Sequence, residues 1–143
     1  ELYGKTIGLW GLSFKPGTDD MREAPSVVLI NQLLEAGAKV RAYDPVAMDE
    51  ARRILENSIE YVTDIYEAVI SADALAIATE WNEFRLPNYK VLSKLMNNKA
   101  VFDGRNILEK EELAEYGFDY FSIGRHNDLN TTKKSITKTT IEA

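Results

Sequence analysis

Short apolar runs alternate along the chain with longer stretches in which apolar residues recur three and four positions apart. Residues 5–10 (KTIGLW) are apolar and β-rich, which predicts a buried first strand. Residues 11–24 are polar and hold Pro16, Gly17, Asp19 and Asp20, which predicts a loop. A helix then starts at Pro25, where a missing N–H does no harm. Val27, Ile30 and Leu34 keep helical spacing, and Gly37 ends the helix. Residues 39–43 form the second strand, closed by Asp44-Pro45. A helix is predicted from about 46 to 57, with Ala47, Ala51 and Ile54 on one stripe, followed by a short third strand over 59–62. Asp64 is placed to cap a helix carrying Ile65, Ala68, Val69 and Ala72. Residues 74–78 (ALAIA) make the most apolar run and predict a central strand. A loop with Trp81, Phe84 and Pro87 leads to a helix over about 89–97. A fifth strand is expected at 100–102, a helix over about 110–116 ending at Gly117, and a sixth strand at 120–123.

Strands alternating with helices predict an α/β fold. The expected form is a doubly wound, Rossmann-like parallel sheet of about six strands in three layers, with helices on both faces. Right-handed crossovers leave few topologies, and the order 3-2-1-4-5-6 is the one expected. No internal repeat is visible. Apolar periodicity stops after Arg125, so residues 1–125 are read as the folded domain. Residues 126–143, rich in Thr and Lys, are read as a flexible tail.

Composition narrows the function. A chain of 143 residues fits one domain that needs no metal or disulfide to fold. It is 45% hydrophobic and 28% charged, ordinary for a globular protein. A net charge of -6 argues against a general nucleic-acid partner. The sequence holds no cysteine, which removes disulfides, thiolate metal sites and a cysteine nucleophile from this chain and is compatible with a reducing cytoplasm. His126 is the only histidine, so no histidine pair is available, and no metal site is expected. No apolar run approaches the roughly 18 residues of a membrane span. The first residues lack a signal-peptide plan and lead almost directly into a strand, as in a domain cut from a longer chain.

In an open parallel sheet, ligands bind beyond the carboxyl ends of the strands where strand order reverses. That directs attention to residues 11–22, 79–85 and 103–107. Gly8 and Gly11 have GxxG spacing, not GxGxxG, and the following loop is too long for a standard dinucleotide grip. Lys15 and Arg22 offer a point charge and a two-pronged donor suited to phosphate oxygens, with Asp19 and Asp20 able to fold back and orient them. A solvated loop with surface ion pairs explains the same residues equally well. Asp44 sits where dinucleotide folds hold a ribose, although turn formation or helix capping is the better-supported role. Trp81, Phe84 and Arg85 either pack on a base or sugar, close the loop, or contact another domain. Gly104 allows a sharp turn that points Arg105 along the sheet edge toward Lys15, and converging cations make an anion site. A plain turn with a surface arginine is the alternative. Among these loops no carboxylate pair, nucleophile–base pair or metal cluster stands out, so the chain reads as a binder that positions ligand, with no catalytic residue of its own.

Taken together, Gly8-x-x-Gly11-x-x-Phe14-Lys15-x-x-Thr18-Asp19-Asp20-x-Arg22-x-Ala24-Pro25-Ser26 resembles the C-terminal, UDP-binding domain of the UDP-glucose/GDP-mannose dehydrogenase family. Tyr43-Asp44-Pro45, Thr79-Glu80-Trp81-x-x-Phe84 and Phe102-Asp103-Gly104-Arg105-Asn106 match in the same order, so the resemblance covers about residues 3–125. The Glu80-to-Arg85 segment is most similar to members that act on UDP-glucose. The resemblance implies oxidation of the C6 alcohol of a nucleotide sugar to a carboxylate with two NAD, through a thiohemiacetal and thioester on a cysteine. It places NAD mainly on a separate N-terminal domain, and the cysteine and a homodimer contact in a central region. It implies that Phe14, Lys15 and Arg105 contact the UDP-sugar and that Arg22 reaches the NAD diphosphate. A UDP-N-acetyl sugar or GDP-mannose as substrate, a stand-alone nucleotide-binding module, and an interaction domain with an acidic docking face remain the alternatives.

Overall fold

A computed structural model describes residues 2–122. Six strands form one sheet: β1 (Thr6–Trp10), β2 (Lys39–Tyr43), β3 (Glu60–Tyr61), β4 (Ala74–Ile77), β5 (Ala100–Asp103) and β6 (Asp119–Ser122). The connections carry helices α1 (Pro25–Glu35), α2 (Met48–Leu55), α3 (Tyr89–Leu95) and α4 (Lys110–Glu115). The sheet order is β3-β2-β1-β4-β5-β6, and every pairing is parallel. That is the expected doubly wound topology. Its switch point lies between β1 and β4, because the chain winds outward through β2 and β3 on one side and through β5 and β6 on the other.

The strand period of two sorts the core into two clusters. Ile7, Leu9, Val40, Ala42, Ala74, Ala76 and Phe102 face α1 and α2, against Leu29, Ile30, Leu33, Ala51 and Leu55. Trp10, Leu75, Ile77 and Val101 face the opposite layer, against Ala68, Val69, Leu92 and Leu113. All residues of β4 and β5 are buried, as befits strands covered on both faces. Pro25 stands at the first turn of α1, and Gly37 follows its end at φ 97°.

Two helix expectations need correction. The second helix is shorter than predicted, giving way after Leu55 to a 3₁₀ turn over Glu56–Ser58. Its buried stripe is Ala47, Ala51 and Leu55, spaced four apart, while Ile54 lies off that stripe and is 52% exposed. The helix expected after Asp64 is only a 3₁₀ turn, Glu67–Val69. Asp64 does cap it, accepting from the backbone N–H groups of Tyr66 and Glu67 at 2.8 and 3.0 Å. The turn cannot extend, because the next donors are used elsewhere. Ser71 N–H goes to Leu95 O at 2.7 Å and Asp73 N–H to Thr6 O at 2.7 Å, with Ser71 itself at φ 57°. The sixth strand begins one residue earlier than expected. Ile123 and the predicted tail, with His126, lie outside the described residues.

Candidate nucleotide site at the switch point

Asp44 gathers three strand-end loops onto one buried carboxylate. Its Oδ2 accepts from Leu12 N and Ser13 N at 2.8 and 3.1 Å, and from Trp81 Nε1 at 3.1 Å. Its Oδ1 accepts from Val46 N and Ala47 N at 2.9 and 2.8 Å. The residue is fully buried. Asp44 therefore builds turns and has no oxygen left for a ribose. Thr79, also buried, donates its hydroxyl to Ser13 O at 2.8 Å and so ties the loop after β4 to the loop after β1. Gly11 makes that approach possible. It sits at φ 98°, and a Cβ there would lie 2.5 Å from Thr79 Cβ and 2.6 Å from Thr79 N. Gly8 has a different purpose from a phosphate cradle: a Cβ on it would meet Ala68 O at 2.5 Å, so it admits the 3₁₀ turn against the sheet.

The chain beyond Ser13 is equally fixed. Phe14 N–H donates to Asp20 O at 2.8 Å, and Ser13 Oγ donates to Lys15 O at 2.9 Å. The side chains of Phe14 and Lys15 are left exposed at the rim, Phe14 at 44%. Among the described residues the Lys15 ammonium has no hydrogen bond or ion pair. Arg22 is different. Asp20 takes its backbone N–H at 2.9 Å and its Nε and Nη2 at 3.0 Å each. Hydrogen bonds from Arg22 hold the Asp20 carboxyl down at about 2. The expectation that Asp19 and Asp20 orient both cations is thus met only in part. Asp20 spends both oxygens on Arg22, and Asp19 pairs with neither cation. The exposed Arg22 guanidinium borders a groove of about 540 Å³ lined by Thr18, Asp19, Met21, Glu50 and Ile54.

Asp103 organises the loop after β5 as Asp44 does its own. Its Oδ1 accepts from Arg105 N at 3.0 Å, and its Oδ2 from Ile107 N, Leu108 N and Tyr120 Oη at 2.8, 2.9 and 2.8 Å. Burial first, then the carboxylate contact, pushes the Tyr120 phenol well up. Gly104 lies close under Ile77 O, which its N–H meets at 3.1 Å. The Arg105 side chain turns across the end of β4, donating Nε–H to Ala78 O at 3.1 Å with Glu80 Oε1 at 3.6 Å. It therefore lies toward the switch point, but no hydrogen bond or ion pair joins it to Lys15. Its two terminal nitrogens make no hydrogen bond among the described residues.

The aromatics after β4 close the loop. Trp81 is bound to Asp44 through its indole N–H. Phe84 is fully buried, 5.5 Å from the Trp10 ring and 6.2 Å from that of Tyr43. Arg85 is exposed. Sequence reasoning missed Asp103 and Thr79 as fixing groups. For Asp103 a signal existed, since an aspartate ending a strand before Gly104 has the same turn chemistry as Asp44 before Pro45. Thr79 carried none. Among the described residues no cluster of three or more His, Asp or Glu could hold a metal ion, and no helix is long and apolar enough to cross a membrane.

This loop arrangement coincides with a known family pattern. The model of the UDP-glucose/GDP-mannose dehydrogenase family, UDP binding domain, matches residues 8–110, which include all three strand-end loops. The chain belongs to this family. A UDP-glucose 6-dehydrogenase of Rhizobium meliloti is 46% identical over 125 residues, 87% of this chain and 28% of that protein. The YwqF UDP-glucose 6-dehydrogenase of Bacillus subtilis is 45% identical over 122 residues, 85% of this chain and 28% of that protein. Among solved structures, a UDP-glucose dehydrogenase from Pyrobaculum islandicum superposes with a TM-score of 0.69 at 35% identity, over 83% of this chain and 25% of that one. The chain thus spans about 28% of the length of the curated relatives it matches. The matched region, the family's UDP binding domain, runs from Gly8 in β1 through β5 into the start of α4.

Proposed function

We propose that the chain is the UDP-sugar-binding domain, over residues 1–125, of an NAD-dependent UDP-glucose 6-dehydrogenase. The observation that carries this reading is the pair of cations at the switch point. Lys15 has an uncommitted ammonium, and Arg105 has two uncommitted terminal nitrogens on a main chain fixed by Asp103. A diphosphate is the ligand group such cations suit, with Lys as a point charge and Arg as a planar fork. Phe14, half exposed beside Lys15, supplies an apolar surface for the sugar or base. UDP-glucose is favoured over GDP-mannose and UDP-N-acetyl sugars because relatives with the former activity reach 46% identity.

NAD fits this chain only at its rim. The β1–α1 connection is no dinucleotide cradle, since Gly8 and Gly11 are filled by Ala68 and Thr79. Arg22 keeps one open guanidinium edge beside the groove and would make a single contact to the diphosphate of NAD held mainly by another domain. When bound, NAD supplies the oxidation. This chain's own residues bind the sugar nucleotide, exclude water and hold the two ligands in register. The same reading includes a homodimer formed through a central region outside this sequence, and a cytoplasmic location.

Calorimetric titration with UDP, UDP-glucose and GDP-mannose at low salt tests the reading. Binding of the uridine ligands alone, lost in Lys15→Ala, is the expected result. Equal binding of GDP-mannose, or no dependence on Lys15, would overturn it.

A further inference from the structure

Arg22 is held more firmly than an exposed side chain ordinarily is. Its side chain is 89% exposed, yet Asp20 takes its Nε and Nη2 at 3.0 Å each and its backbone N–H at 2.9 Å. The carboxylate stands on a pinned stretch of chain. Asp20 N–H donates to Thr18 Oγ1 at 3.1 Å, and Asp20 O accepts Phe14 N–H at 2.8 Å. Directly after Arg22 the chain passes through Glu23 at φ 56°, a left-handed conformation that few residues other than glycine adopt. Ala24 N–H then returns to Met21 O at 3.2 Å. The backbone is thus fixed on both sides of Arg22.

An exposed ion pair of this kind adds little to folding. Its effect is geometric. Asp20 occupies the Nε edge of the guanidinium. Nη1 and the second hydrogen of Nη2 form another fork, which makes no hydrogen bond among the described residues. That fork is open to solvent and borders the groove lined by Thr18, Asp19, Met21, Glu50 and Ile54. A planar fork suits phosphate oxygens. An arginine immobilised only by its ligand gives up rotamer freedom on binding, whereas one already held does not. The Asp20 charge also subtracts from the attraction Arg22 offers an anion. Orientation and charge therefore predict opposite effects for removing the carboxylate. We propose that Asp20 is a positioning residue for the cofactor, holding the free fork of Arg22 toward the NAD diphosphate without touching it. This rests on the function proposed above. The gain from orientation exceeds the loss of attraction.

The test uses the full-length enzyme with Asp20→Ala, Asp20→Asn, Arg22→Ala and the double substitution Asp20→Ala/Arg22→Ala. Dissociation constants for NAD and for UDP-glucose are measured by calorimetry, alongside KM and kcat. Asp20→Ala is expected to weaken NAD by about threefold to tenfold, as for one long side chain that must now be immobilised on binding. KM for NAD should rise to match, with kcat and UDP-glucose binding close to the parent. Asp20→Asn, which keeps one oxygen for the guanidinium, should fall between. In the Arg22→Ala background, Asp20→Ala should have no further effect. Unchanged or tighter NAD binding by Asp20→Ala would mean that the carboxylate only opposes the anion, and would overturn the proposal. Equal weakening of both ligands would mean that it merely keeps the loop folded, and additive losses in the double substitution would mean that it does not act through Arg22; either overturns the proposal. If Arg22→Ala leaves NAD binding unaffected, the role given to Arg22 is itself wrong and the proposal falls with it, an outcome recognisable whatever Asp20 does.

Discussion

Replacing Asp44 by asparagine changes one atom and tests how the loops are held. Both carboxylate oxygens are occupied, Oδ1 by Val46 N and Ala47 N, and Oδ2 by Leu12 N, Ser13 N and Trp81 Nε1. However the asparagine amide is turned, its NH₂ faces N–H groups that formerly donated. The less damaging orientation gives up the two Oδ1 bonds. Bonds to a charged acceptor are worth about 1.5–3 kcal/mol each, so the loss should be about 3–6 kcal/mol. That is a large share of the roughly 5–15 kcal/mol that holds a whole domain. Urea unfolding followed by tryptophan fluorescence and far-UV circular dichroism measures it. Trp81→Phe removes one donor and leaves the backbone bonds to Asp44 in place, so it should cost clearly less. A loss below about 1 kcal/mol in Asp44→Asn, with an unchanged slope against urea, would show that water or loop movement replaces these bonds and that the carboxylate does not organise the site.

Lys15→Ala and Arg105→Ala should each weaken UDP binding by about 1.5–3 kcal/mol in calorimetry, and no change in both would remove the site from this sheet edge. Gly11→Ala should unfold the chain or leave it insoluble, since its Cβ meets Thr79 backbone. Gly17→Ala, at φ 83° with nothing within 4 Å, should cost only about 1–2 kcal/mol in the same unfolding assay. Similar losses at the two positions would refute the close-packing account. The Asp20 carboxylate, held down to about 2 by Arg22, favours the folded state above its ordinary value of 3.8, and this contribution is lost as pH falls from there through 2. A carboxyl NMR titration should show this low midpoint, returning toward the ordinary value in Arg22→Ala. Tyr43, pushed up to about 12 by burial and then by Glu83, works in the opposite sense: its contribution is intact below pH 10 and is lost between 10 and 12, which an ultraviolet tyrosinate titration of the parent and Tyr43→Phe can detect. The chain alone should not turn over UDP-glucose with NAD, and measurable NADH formation would contradict its role as a binding unit.

The sheet was legible because its central strands β1, β4 and β5 are buried apolar runs next to Gly or Asp, and because strand–helix alternation admits few topologies. The failed helix after Asp64 shows where that logic stops. Ile65, Ala68, Val69 and Ala72 keep helical spacing because they face a core, but Ser71 and Asp73 give their N–H groups to Leu95 and Thr6, a long-range competition invisible in a window of sequence. At the site, the cations were readable as residue types at strand ends. Of their partners, only the local one was. Arg22 meets Asp20 two residues away, whereas Arg105 meets Ala78 and Glu80 through the pairing of β5 with β4. The aromatics were ambiguous because Trp81 and Phe84 suit either a base or a core, and only the placement of Asp44, Trp10 and Tyr43 decides it.

Asp44 and Asp103 hold their loops almost entirely through main-chain N–H groups, which every residue but proline provides. The course of each loop is therefore largely indifferent to the side chains it displays. Positions such as Asn82 and Arg85, exposed between the anchored points, can drift without disturbing this frame. A lineage can thereby try new sugars or bases one surface residue at a time, each step starting from a folded protein. Two buried aspartates supply the constancy against which ligand preference can evolve.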